Sequence, residues 1–183
     1  MTALRRLNPG AEIALASRQL ATETQGIRRP PIESMRPLVG TIARVRSVLI
    51  VEDLPERMAQ ILELIRKFEL DEVKTACNLQ DALGSLRVLS DPASMLITDI
   101  VFPKKRGGPI VVRDADDVDH TVMAGLKLIR TAKKEFPKTP ILAQSSSWEC
   151  LNLARKNGAD QLLHKNDLEK LPDIMMGEAG TDK

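Results

Sequence analysis

The sequence predicts an α/β fold: a flavodoxin-like, doubly wound, five-stranded parallel sheet of order 2-1-3-4-5, with an N-terminal extension and a long insertion between the third strand and the third helix. Three observations predict it. Short apolar runs alternate with segments of helical periodicity from residue 47 onward, the connections suit right-handed crossovers, and acids stand where the first and third runs end.

SVLIV (47–51) is an apolar, β-branched run, as a strand buried on both faces requires. In the next segment Met58, Ile61, Leu62, Ile65 and Phe68 keep helical spacing behind Pro55, which suits a first helical turn. VKTA (73–76) is the second strand, and Leu79, Ala82, Leu83 and Leu86 mark a second helix with Asn78 as its cap. MLIT (95–98) is the third strand. Gly125, Leu126, Ile129 and Ala132 carry the third helix, which stops at Pro137. PILAQ (140–144) is the fourth strand, SSWE (146–149) reads as a capping box opening the fourth helix, and Gly158 suits that helix's C-terminal end. QLLH (161–164) is the fifth strand. Pro172 interrupts DLEKLPDIMM, so the fifth helix is expected to be short, bent or replaced, with the N-terminal extension a candidate for the face it leaves.

Three domains of the sequence are expected: a basic N-terminal extension at 1–46, the folded block at 47–176 and a loose tail at 177–183. Residues 11–24 have helical character, and the prolines of RRPPIES and RPLVG break any regular structure beyond them. Residues 1–46 hold eight arginines against three glutamates, a local +5 inside a chain of net charge +2, and read as a solvated arm. With three Phe, one Trp and no Tyr, the chain lacks a stacking platform for single-stranded bases. No apolar run reaches the roughly 20 residues of a membrane span, and the N-terminus lacks the apolar core of a signal peptide, so a cytoplasmic protein is expected. Cys77 and Cys150 are too few for a disulfide framework and are expected to fill the core.

The candidate site lies at the carboxyl ends of the strands. In the order 2-1-3-4-5 the chain reverses direction across the sheet between strands one and three, and ligands bind outside that point. The first strand ends in Glu52-Asp53 and the third in Asp99, so three carboxylates converge there. Like charges that close repel one another unless a cation sits among them, and an all-oxygen cluster suits Mg2+. Ser145 ends the fourth strand and Lys165 follows the fifth, adding a hydroxyl and an ammonium that can both meet phosphoryl oxygens.

VLIVED, DIVFP, PILAQS and GADQLLHK resemble the receiver domain of two-component response regulators over about residues 47–171. The resemblance implies that Asp99 accepts a phosphoryl group from a histidine kinase or phosphotransfer protein, with Lys165 and Ser145 as the other catalytic positions. It further implies that Glu52, Asp53, Asp99 and the Val101 carbonyl hold Mg2+. The chain would then be no conventional enzyme but a phosphoacceptor that assists its own phosphorylation and dephosphorylation. Output would pass to a downstream protein, since no segment after residue 171 is long enough for a DNA-binding domain.

Three features depart from the family pattern. Asn166 stands where a proline usually follows the lysine, Leu162 occupies the place of a switch aromatic, and KKRGGPIVVRDADDVDHT (104–121) replaces a short loop. Trp148 or His164 can substitute for the missing aromatic, although a first-turn packing residue and an ordinary strand-end residue are the simpler readings. The insertion runs from Lys104, Lys105 and Arg106 through Gly107-Gly108 to Asp114, Asp116, Asp117 and Asp119, and is expected to form a flap or small hairpin with PIVV as a strand. Val101 cannot orient an attacking water, so a slowly hydrolysed acyl phosphate is expected. The alternative function is a pseudo-receiver, a protein-interaction module that phosphorylation does not control. A haloacid-dehalogenase-like phosphatase also places an aspartate after a strand, but it needs a second acid where Val101 stands.

Overall fold

The computed structural model describes residues 45–91, 93–109, 111–113, 119–121 and 123–177. In chain order the elements are β1 Ser47–Val51, α1 Pro55–Ile65, β2 Glu72–Ala76, α2 Leu79–Ser85 with a 3-10 turn at Leu86–Ser90, β3 Ser94–Asp99, and a pair of short strands β4 Val111–Arg113 and β5 Asp119–Thr121. Beyond the pair come α3 Ala124–Glu135, β6 Ile141–Ser145, α4 Trp148–Lys156, β7 Gln161–His164, a 3-10 segment Lys165–Lys170, and α5 Leu171–Met176.

The main sheet is parallel with order β2-β1-β3-β6-β7. Setting aside the β4–β5 hairpin, this is the expected 2-1-3-4-5. Alternating side chains sort into two cores, one on each face. Leu49, Val51, Leu96 and Ala143 join the helices α2, α3 and α4, while Val48, Ile50, Ile97, Leu142 and Leu163 join α1 and α5. Strand β2 lies at an edge and is exposed from Glu72 to Thr75.

Local chemistry fixes several boundaries. The Asn78 side chain accepts from the Asp81 N–H at 3.0 Å and caps α2. Pro55 sits in the first turn of α1 and Pro172 in that of α5, where a missing N–H costs nothing. The fifth helix is thus short rather than absent, and Leu168, Leu171, Ile174 and Met175 fill the face for which the N-terminal extension is the sequence's candidate. Gly158 closes α4 with φ 106, a conformation that favours glycine.

Four expectations need correction. The cap of α4 is Ser147, not Ser146: its hydroxyl accepts from Cys150 N–H at 3.3 Å, which puts Glu149 one position too early for a capping box. On α1, Leu62 is 36% exposed and Leu64 packs on the core instead, because the helix turns its apolar stripe toward Ile61 and Ile65. Phe68 lies past the end of α1, in the turn beyond it. Cys77 is exposed, since the chain leaves an edge strand there, while Cys150 packs part-buried against the core.

The insertion does contain a hairpin, with Val111 opposite Thr121 and Arg113 opposite Asp119. Its base is pinned: Phe102 bridges Met123 in parallel, and Phe102 is fully buried. Pro103 and Lys104 also serve the fold, their carbonyls accepting the Leu79 and Gln80 N–H groups at the start of α2. The helix expected at 11–24, the rest of the basic arm through residue 44, Ile110 of PIVV, Asp114, Asp116 and Asp117 of the acidic run, and the tail from 178 lie outside the described residues.

Candidate functional site

Strand β3 carries Asp99 to the rim as the last residue of a wholly buried run, SMLITD. The turn behind it is held by the acid itself, since Asp99 Oδ1 accepts the Ile100 N–H at 2.6 Å and the Val101 N–H at 3.4 Å. Helix α3 begins directly against this turn, where Gly125 N–H donates to the Ile100 carbonyl at 3.0 Å. A Cβ on Gly125 would lie 2.2 Å from the Asp99 carbonyl oxygen, so only glycine admits this approach.

Glu52 and Asp53 lie just past β1, the neighbour of β3. Carboxylate oxygens of Glu52, Asp53 and Asp99 lie within 4.8 Å of one another. Glu52 and Asp99 are buried and Asp53 is part-exposed, so the cluster is closed on one side and open on the other. Lys165, at the end of β7, spans two strands to reach it. Its Nζ lies 2.7 Å from Asp99 Oδ2 and 3.1 Å from Glu52 Oε2. No described peptide bond is cis, so the chain turns at Lys165 in a trans 3-10 segment, and the lysine still reaches the aspartate with Asn166 in place of proline.

The electrostatics are those of a crowded anion pair with one counter-ion. Burial, then the charge of Asp99, pushes the Glu52 carboxyl above its usual range, and the Lys165 ammonium only partly opposes this. Burial likewise raises Asp99 against the pull of Lys165. Burial disfavours the charged lysine, but its hydrogen bond to Asp99 and the two carboxylate charges outweigh this and raise Lys165. The lysine is thus held charged while the acids remain in excess of it. An all-oxygen donor set with surplus negative charge and one open side fits a hard divalent cation.

The other expected positions are arranged differently. Ser145 is buried at the end of β6 and its hydroxyl accepts the Ser147 N–H at 3.2 Å; among the described residues no hydrogen bond joins it to the acids. Leu162 is buried in the core, 3% exposed. His164, two residues on and facing the same side of β7, stacks on Trp148 with ring centroids 5.1 Å apart and an interplanar angle of 22°. Its Nδ1 accepts the Asn166 N–H at 3.3 Å, which leaves Nε2 to donate to the Ser146 carbonyl at 3.0 Å. One ring therefore ties the segment after Ser145 to the segment after Lys165. This contact was not readable from two residues 16 apart in sequence. Gln144 is a further site residue that the sequence reading misses: its amide Nε2 donates to Glu52 Oε2 at 3.2 Å. The signal was present as a lone amide in the otherwise apolar run PILAQ.

A signal receiver domain of an HD domain-containing protein from Pseudomonas fluorescens superposes with TM-score 0.53, covering 77% of this chain and 92% of that one at 16% identity. The chain has the fold of a response-regulator receiver domain. The non-phosphorylated receiver domain of the stress response regulator RcsB from Escherichia coli matches at TM-score 0.52 and 20% identity, over 70% of this chain and 88% of that one. The longer RcsB response regulator of Salmonella typhimurium matches at TM-score 0.52 and 19% identity, over 71% of this chain and 57% of its own. At these identities the likeness speaks for the receiver fold, and the chain spans little more than half of that longer regulator. No family model matches the chain. Among curated proteins it is 31% identical to acetyl-coenzyme A synthetase 2 of Candida albicans over 86 residues, 46% of this chain but only 12% of that protein.

Proposed function

We propose that the chain is a receiver in which Asp99 accepts a phosphoryl group from a histidine kinase or phosphotransfer protein and passes the signal on through protein contacts. The observation that carries this reading is the part-buried Lys165–Asp99 ion pair, 2.7 Å long, set within a cluster of three carboxylates at the rim of a receiver fold. Phosphoryl transfer needs a positioned carboxylate nucleophile and positive groups for the charge on the equatorial oxygens.

A carboxylate oxygen of Asp99 attacks phosphorus, the bond from phosphorus to the donor nitrogen breaks, and that nitrogen keeps the electron pair and takes up a proton. The Ile100 and Val101 N–H groups hold the carboxylate in place during attack. Lys165, already on Asp99 Oδ2, can follow the negative charge onto the phosphoryl oxygens. The Ser145 hydroxyl accepts the Ser147 N–H and can still donate its own O–H to them. Glu52, Asp53, Asp99 and the Val101 carbonyl would hold Mg2+, which when bound supplies charge neutralisation at the transferring group. Residues 47–176 form this unit in our reading, with 1–46 as a basic arm and 177–183 as a tail.

Incubation with acetyl phosphate and Mg2+ and then intact mass measurement tests the proposal. A gain of one phosphoryl group, absent in Asp99→Asn, supports it. A folded protein that stays unmodified favours a pseudo-receiver, the reading toward which the aliphatic Leu162 points, because no ring stands there to report on a phosphorylated aspartate.

A further inference from the structure

Gln144 is fully buried on β6, where its neighbours in register are Asp99 on one side and Leu163 on the other. It shares a face with Leu142, which lies in the apolar core against α1 and α5. An amide there is expensive unless both its ends are paired. Only one end is: Nε2 crosses β3 to donate to Glu52 Oε2 at 3.2 Å. Gln144 Oε1 is the one buried side-chain polar atom without a partner among the described residues. A leucine or methionine would fill the same space without that penalty, so the amide's donor is what distinguishes it.

The orientation is enforced. Turning the amide over would set Oε1 against Glu52 Oε2, acceptor facing acceptor. In the observed arrangement Glu52 Oε1 takes the Leu54 N–H at 3.2 Å, while Oε2 takes Gln144 and Lys165 together. The two donors on Oε2 differ in constancy. Lys165 is shared with Asp99, its shorter contact, and its ammonium is repelled by any cation that enters the cluster. Gln144 is neutral and buried, and among the described residues its donor has no competing partner.

We propose that Gln144 is a positioning residue that keeps the Glu52 carboxylate aimed into the acid cluster when a divalent cation displaces Lys165 from it. The proposal rests on reading the cluster as a Mg2+ site and adds a residue that does not itself touch the ion. Partners of this kind, one step removed from a metal, typically change affinity by about tenfold or more when lost.

The test is Mg2+ binding by calorimetry on the metal-free protein, with Gln144→Met and Gln144→Leu as apolar replacements and Leu142→Ala as a control that loosens the same core without touching Glu52. Both Gln144 variants are expected to weaken Mg2+ about tenfold while Leu142→Ala, though less stable, stays within about twofold of wild type. Wild-type affinity in a folded Gln144 variant overturns the proposal. Wild-type protein that binds no Mg2+ removes the cation site itself, a separable failure. Amide resonances of Gln144 in the wild-type protein serve whether or not the variants fold. They should keep a hydrogen-bonded shift at saturating Mg2+, and their collapse to a free-amide shift would likewise sink the idea.

Discussion

Lys165 Nζ stands 2.7 Å from Asp99 Oδ2 even though Asn166 comes next, in an ordinary trans turn. Reach is therefore set by where β7 ends rather than by a special peptide geometry. Lys165→Met leaves Glu52 and Asp99 buried with no counter-ion and is expected to cost about 3–5 kcal/mol in metal-free urea unfolding near neutrality. The loss should shrink in mild acid, where the acids take up protons. A loss below about 1 kcal/mol, the scale of an exposed pair, would mean the ion pair is solvated rather than buried.

The pH dependence has a definite sign. Burial, joined for Glu52 by the charge of Asp99, holds both carboxyls above their ordinary range, so the folded protein binds these protons more tightly than the unfolded chain does. Their contribution is complete below the ordinary carboxylate range and is lost as pH rises through the raised values. Without metal, the urea midpoint should fall from mildly acidic to neutral buffer. Mg2+ binds the deprotonated forms, so its stabilisation should grow over that window. Lys165, also raised, keeps its contribution through neutrality and loses it only in strong alkali.

Gly125→Ala drives a methyl to 2.2 Å from the Asp99 carbonyl oxygen and 2.6 Å from Ile100 Cα. We expect a loss of about 1–3 kcal/mol and a displaced Asp99 turn, seen as slower labelling by acetyl phosphate. Gly84→Ala is the contrast: nothing lies within 4 Å of the added carbon inside α2, and stability should rise by up to about 1 kcal/mol.

Trp148 offers an optical readout. Movement of the Ser145 hydroxyl off the Ser147 N–H would shift the Ser146 carbonyl held by His164, on which Trp148 stacks. Acetyl phosphate with Mg2+ should alter Trp148 emission in the wild type and leave it constant in Asp99→Asn. His164→Leu should change the resting emission and blunt the response.

An acyl phosphate on Asp99 should persist well beyond seconds, because Val101 brings no polar group with which to align a hydrolytic water. Intact mass tracked after removal of acetyl phosphate measures this, and decay within seconds in the absence of a phosphatase would contradict it.

Most of the architecture was legible because burial writes itself into periodicity. SVLIV and MLIT could only be central strands, and the acids at their ends had only one rim to occupy. The site was readable as far as side chains track strand order. The features that escaped depend on register and rotation. Leu62 and Leu64 differ only in which side of α1 they fall, and Ser146 and Ser147 only in where the helix begins. Gln144 required knowing that β6 lies beside β3 with residue 144 opposite Asp99. The Trp148–His164 stack required the Ser145–His164 register.

The chain departs at Phe102 and comes back at Met123 as neighbours in one parallel bridge. Whatever is threaded between Lys104 and that return point enters and exits through a single doorway, leaving the carbonyls that start α2 untouched. The segment is accordingly a cassette: a docking peptide or a small sensor module spliced there would be tethered a few residues from Asp99, with the sheet none the wiser.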